Sequence, residues 1–148
     1  MKKILIYFIL FPFLVFSQKQ EKESIYIFFD KEDIRNSYGK KDNEEIIFWL
    51  NPKSDMSYFI HNKNKHLKEC INYNKIKSKL ITQEEANKKV IDYLKKRAKE
   101  FESQTGIKGL PSVPPFSYNS YFEKIYIYVE KDSSSGTLYE VDWQYAIE

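Results

Sequence analysis

Apolar and polar positions along the chain fall into three regimes: short runs of β-prone residues, one long stretch of helical period, and a strongly alternating C-terminal region. Ser24 to Phe29 reads Ser-Ile-Tyr-Ile-Phe-Phe, with β-branched or aromatic residues at nearly every position. Apolar character on both faces predicts an interior strand. Residues 36 to 45 are polar with a turn glycine at Gly39 and predict a loop. Glu45 to Leu50 predicts a second apolar strand, closed by Asn51-Pro52, and Tyr58 to His61 a third. Asn62-Lys63-Asn64-Lys65 has the composition of a hairpin turn. His66 to Tyr73 then reads as a strand, although Leu67, Cys70, Ile71 and Asn74 also stand at helical spacing.

The helix is the best-defined element. Thr82-Gln83-Glu84-Glu85 forms a capping box, in which the Thr82 hydroxyl takes an orphan N–H and Glu85 reaches back to the cap. Ala86, Val90, Ile91, Leu94, Ala98 and Phe101 form one apolar stripe, and Gly106 stands where a helix-terminating glycine belongs. Residues 105 to 120 form a long Pro-containing loop. Glu123 to Lys131 and Thr137 to Ile147 alternate strictly on either side of Asp132-Ser133-Ser134-Ser135-Gly136, which predicts a hairpin. The expected fold is therefore α+β: an antiparallel sheet of five or six strands packed on one main helix, about residues 83–103, with a C-terminal β-hairpin.

The N-terminus carries a different pattern. Lys2-Lys3 precedes a 13-residue stretch from Ile4 to Phe16, interrupted by Pro12, and Val15-Phe16-Ser17 supplies a cleavage-site pattern. This is the layout of a secretory signal peptide over residues 1–17, and the stretch is too short to span a bilayer. Residues 18–148 then form a single α+β domain, with 18–23 as a disordered polar leader. No cysteine follows the cut, so no stable membrane anchor is expected after cleavage, and the protein is expected in the periplasm or outside the cell.

Composition sharpens this picture only in places. Without the two signal lysines, 22 basic side chains face 21 acidic ones, so the mature charge is +1. No electrostatic footprint for nucleic acid remains. The lysines on the outer face of the helix alternate with Glu84, Glu100 and Glu102 and read as a solvated surface. One cysteine excludes an internal disulfide and a multi-cysteine zinc site within one chain.

Candidate chemistry is sparse. The chain has no Gly-rich phosphate loop, no Gly-x-Ser-x-Gly elbow and no His-Glu-x-x-His pair. His61, His66 and Cys70 are the soft ligands, and strand geometry separates His66 from Cys70 by about 13 Å. No metal or cofactor is expected, and no catalytic residue is assigned. Asp30, Glu32 and Asp33 cluster after the first strand and would serve a hydrolase only if another carboxylate faced them across a cleft. The aromatic residues Phe116, Tyr118 and Tyr121, on or beside the Pro-rich loop, are the candidate partner-binding residues, because prolines preorganise rings that can anchor a partner. Tyr126 and Tyr128 would continue the surface on the strand face opposite the isoleucines.

Ile81-Thr82-Gln83-Glu84-Glu85-Ala86 opening a helix, followed by a hairpin ending Leu138-Tyr139-Glu140-Val141-Asp142, resembles the helix-plus-hairpin plan of exported PepSY domains. That resemblance covers about half of the mature chain and implies peptidase inhibition or envelope regulation. The expected function is binding of a protein or glycan partner in the cell envelope. The alternatives are an inhibitor or immunity-type protein of an envelope enzyme, and a small hydrolase with a dispersed acid site built on Asp30 or Asp33.

Overall fold

A computed structural model describes residues 22–41, 44–50, 57–108 and 118–145. The signal segment 1–17, residues 18–21 of the leader and most of the Pro-rich loop, Phe116 included, lie outside the described residues. The strands are β1 (Ile25–Phe29), β2 (Ser37–Lys41), β3 (Glu45–Trp49), β4 (Ser57–His61), β5 (Leu67–Asn72), β6 (Leu80–Ile81), β7 (Ile125–Asp132) and β8 (Ser135–Tyr145). A single turn, α1 (Tyr73–Ile76), joins β5 to β6, and the long helix α2 (Gln83–Thr105) follows.

The expected antiparallel sheet of five or six strands is overturned. Eight strands form one mixed sheet in the order β2-β3-β4-β8-β7-β1-β6, with β5 also paired to β8. β1 is interior, as its two apolar faces predict, but it runs parallel to both neighbours, with Ile25 opposite Ile125 and Tyr26 opposite Leu80. Side-chain alternation assigns residues to faces and carries no information on strand direction, so the parallel pairs were not visible in the pattern.

Three local expectations change with it. Residues 37–41, read as loop, are the edge strand β2, exposed at every position although the Tyr38 ring rests against Phe29 and Phe48. An edge strand needs no alternation of its own, and Lys40-Lys41 is the charged sequence that discourages further pairing. Asn62–Lys65 does turn, with Lys65 N–H donating to the Asn62 carbonyl at 2.9 Å, but no hairpin results. The chain resumes along the same side of β8, so that β4 pairs with residues 142–145 and β5 with residues 135–139. Residues 67–72 are strand rather than helix, with a bulge between Lys68 and Ile71 and Cys70 at a φ of 55°. Cys70 is exposed, not the small buried hydrophobe that a lone cysteine usually is.

The sheet is covered unequally on its two faces. On the inner face, Ile25, Ile27, Phe29, Ile125, Ile127, Phe48, Phe59, Val141 and Trp143 pack against Ala86 and Val90 of α2. The capping box forms as expected: Glu85 N–H donates to Thr82 Oγ1 at 3.1 Å, and Thr82 N–H to Glu85 Oε2 at 2.7 Å. Only the first half of the stripe is buried. Leu94 packs partly and Ile91 is 48% exposed. A helix of 23 residues is about 35 Å long at 1.5 Å per residue, whereas five-residue strands reach about 17 Å, so α2 overruns the sheet.

On the outer face, Tyr26, Phe28, Tyr126, Tyr128 and Leu138 form a second cluster under Ile71, Tyr73, Ile76 and Leu80. Tyr126 and Tyr128 are therefore core residues, 8% and 0% exposed, and not the free surface expected of them. Burial of both phenols raises their pKa values.

Candidate functional site

The aromatic residues singled out near the Pro-rich loop lie in a 3-10 turn, Tyr118–Tyr121. Tyr118 meets Trp143 edge to face at 4.5 Å, and Tyr121 meets Tyr93 of α2 at 4.7 Å. Both rings are partly buried and pack against the inner core. The turn is pinned by Asn119, whose Oδ1 accepts from Trp143 N–H at 2.9 Å. β7 begins opposite Val141, so this amide of β8 lies beyond the β7 ladder and the Asn119 side chain takes the place of a strand partner. Phe116 lies outside the described residues, so the three rings are not seen together.

The soft ligands do not converge. His61 is buried on the inner face, where Nδ1 donates to the Glu140 carbonyl at 2.8 Å, while His66 and Cys70 are exposed. Among the described residues no group of three His, Cys, Asp or Glu side chains is placed to hold a metal ion.

Of the acids after β1, Asp30 and Asp33 line a cleft of about 280 Å³ together with Glu84 at the start of α2, against Phe28 and Leu50. Both acids also build the loop. Asp30 Oδ1 accepts from Glu32 N–H at 2.9 Å, and Asp33 Oδ1 accepts from Arg35 N–H at 3.0 Å and Nε at 2.7 Å. The Asp33 carboxylate in turn raises the Arg35 pKa through this hydrogen bond. These bonds engage Asp33 in holding the loop against Arg35.

A third surface was not singled out in the sequence. Ile47 and Trp49 of β3 and Tyr58 and Ile60 of β4 alternate with the inner-face residues Phe48 and Phe59 and so project from the outer face. All four are partly exposed and belong to neither apolar cluster. The Trp49 and Tyr58 ring centres are 5.0 Å apart, with their planes inclined by 36°. Register sets what surrounds them. Gly39, Ile47, Ile60 and Asp142 form one line across four strands, while Ser37 stands opposite Trp49 and Gln144 opposite Tyr58. Tyr58 OH donates to Gln144 Oε1 at 3.3 Å. Asp142 pairs with Lys65 at 2.7 Å and accepts from Asn119, and Glu140 pairs with Lys124 at 3.2 Å. The signal for this surface was present in Ile46-Ile47-Phe48-Trp49, which is apolar on both faces. Nothing in the sequence said which face would stay uncovered.

The arrangement places a packed Trp–Tyr pair, two isoleucines and a row of hydrogen-bonding side chains on one side of a sheet. Such a surface can make apolar and hydrogen-bonding contacts and holds no group placed for acid–base or nucleophilic chemistry in the described residues that form it. No family model matches the chain, and no curated protein or solved structure shows significant similarity to it. The helix-plus-hairpin resemblance to PepSY domains therefore rests on the quoted residues alone. Among the described residues no helix is long and apolar enough to cross a membrane.

Proposed function

We propose that the chain is exported and acts by binding a partner in the cell envelope through the outer face of β3 and β4. Export rests on Lys2-Lys3, the Ile4–Phe16 stretch and the Val15-Phe16-Ser17 pattern. Binding rests chiefly on the position of Ile47, Trp49, Tyr58 and Ile60 outside both cores. A contiguous apolar patch with a polar rim on a small protein marks an interaction surface, and Trp and Tyr are the residues most enriched at binding hot spots. The test is co-sedimentation of the mature protein with a purified envelope fraction of its host. The Trp49→Ala, Tyr58→Ala double variant should melt within a few degrees of wild type and stay in the supernatant. Undiminished sedimentation of that variant would refute the assignment.

A second reading, a small hydrolase, draws support from the cleft that Asp30, Asp33 and Glu84 line beside the start of α2. With Asp33 held by Arg35, the acid work in this reading falls to Asp30 and Glu84. It predicts hydrolysis of envelope glycan or peptide that Asp30→Asn and Glu84→Gln each abolish. Trp49→Ala would leave the cleavage rate at saturating substrate unchanged. Absence of turnover in the wild type removes it.

A further inference from the structure

We propose that the partner on this face is a neutral oligosaccharide of gluco-configured pyranose rings, an inference that rests on the binding role of the face. A pyranose with equatorial substituents presents C–H bonds on its faces and hydroxyls around its rim. It therefore matches aromatic rings set beside hydrogen-bonding side chains. Trp49 and Tyr58 provide the aromatic surface: with centres 5.0 Å apart and planes inclined by 36° they pack obliquely on one another, so a sugar ring would stack on the outer side of the pair and not between the rings. On β8, on the same face, Gln144 and Asp142 stand two residues apart, about 7 Å along the strand, and supply planar acceptor and donor groups to the rim.

Charge and area both select this chemistry. On β8, Asp142 is neutralised by Lys65 and Glu140 by Lys124, so that side of the border carries no net charge, and the lysines beside the face, Lys40 and Lys41, stand on the edge strand β2. Hydroxyls, which donate and accept without charge, suit such paired groups. The four partly buried apolar side chains can offer only a few hundred Å² between them, against roughly 800 Å² per partner in a stable protein interface. One or two sugar rings need no more.

Gly39 leaves the approach to this face open. It lies in the line of Ile47 and Ile60, its φ lies outside the left-handed range, and a Cβ there would meet nothing within 4 Å. Neither backbone conformation nor packing requires glycine at a position where it weakens the strand. A strand glycine with no bulge or bend to explain it is compatible with close approach of a ligand, and the missing side chain leaves room for one beside Ile47.

Titration of the mature protein with cellohexaose and with chitohexaose, followed by tryptophan emission and calorimetry, tests the proposal. The chain has two tryptophans; Trp49 is on the face and Trp143 is wholly buried, so a stacked sugar moves the emission of Trp49. The expected result is a saturable blue shift with at least one of the two sugars. Affinity should weaken at least ten-fold in Tyr58→Ala and in Gly39→Val, the latter an exposed change that favours strand. No saturable shift or heat with either sugar at millimolar concentration overturns the proposal, as does binding that both variants retain. If the sugars fail while the Trp49→Ala, Tyr58→Ala variant still loses envelope co-sedimentation, the binding face stands and its partner is not a neutral glycan. If that variant also sediments normally, the binding role falls as well.

Discussion

Gly136→Ala is the sharpest test of how the outer face is assembled. Gly136 lies in β8 between Glu130 of β7 and Ile71 of β5, and the Tyr128 ring covers it. A Cβ at this position would stand 2.5 Å from Tyr128 Cζ, 2.6 Å from its hydroxyl and 2.5 Å from the Val129 carbonyl oxygen. Contacts of that kind ordinarily lie beyond about 3.4 Å, so relief requires movement of nearly an ångström. The ring is fully buried, and the carbonyl belongs to the β7 backbone, so neither gives way cheaply. Overpacking of a dense core costs about 1–3 kcal/mol, and a backbone clash puts this substitution at the upper end, near 3 kcal/mol. For a domain of this size that is on the order of 10 °C in Tm. Circular dichroism melts of Gly136→Ala, Tyr128→Ala and the double variant provide the assay. The double variant should be more stable than the sum of the single losses by about 1 kcal/mol, because removing the ring opens part of the space while the carbonyl contact remains. A Tm for Gly136→Ala within 2 °C of wild type, or strict additivity in the cycle, would refute the placement of the ring over the glycine.

Other predictions address the helix start, the aromatic turn and the hairpin tip. Thr82→Ala should cost about 1 kcal/mol, since Glu85 N–H loses its partner, and Glu85→Ala should cost less because water replaces its bond; an unchanged melt for Thr82→Ala would place the functional helix start elsewhere. Tyr118→Ala should cost about 2 kcal/mol, below the range for a fully buried aromatic, because its ring packs on Trp143 but remains partly exposed. A melt indistinguishable from wild type would instead leave Tyr118 free to serve as a partner-binding edge. The Asp132 carboxyl accepts from Ser135 Oγ at 2.7 Å, Ser134 Oγ at 2.8 Å and the Ser134 and Ser135 amides, which hold its pKa far below the usual carboxylate range. Its contribution to stability is therefore present above the unfolded value, near pH 4, and is lost as pH falls from there toward the folded value. Asp132→Asn should lower Tm at pH 7 and flatten its decline below about pH 4; parallel Tm–pH curves for the two proteins would contradict this.

What the sequence disclosed follows from which interactions are local. The capping box of α2 and the β7–β8 hairpin involve residues close along the chain, so their letters carry the geometry. β1 was legible as interior because both its faces are apolar, yet its partners Ile125 and Leu80 are remote, and their parallel direction has no local signature. β2 was illegible for the opposite reason. Its side chains are all exposed and polar apart from Tyr38, so it is a strand only because β3 supplies a ladder. Tyr126 and Tyr128 show the same limit on the face: alternation separates them from the isoleucines, but only the β5–α1–β6 connection decides that they are buried.

The uncovered face follows from that connection. The sheet has two faces and, among the described residues, two α-helices, of which α2 packs on the inner face and α1 is a single turn. From β8 the chain through β5, α1 and β6 passes over β7 and β1, so the outer side of β3 and β4 receives no covering element among the described residues. At the exposed edge beside it, Lys40-Lys41 discourages another strand. The adjacent face has no equivalent defence. Trp49, Tyr58, Ile47 and Ile60 remain accessible, and Gly39 leaves the approach to Ile47 open. In the proposed binding role, a charged edge joined to this aromatic face favours a ligand that stacks from above the sheet over one that would add a strand.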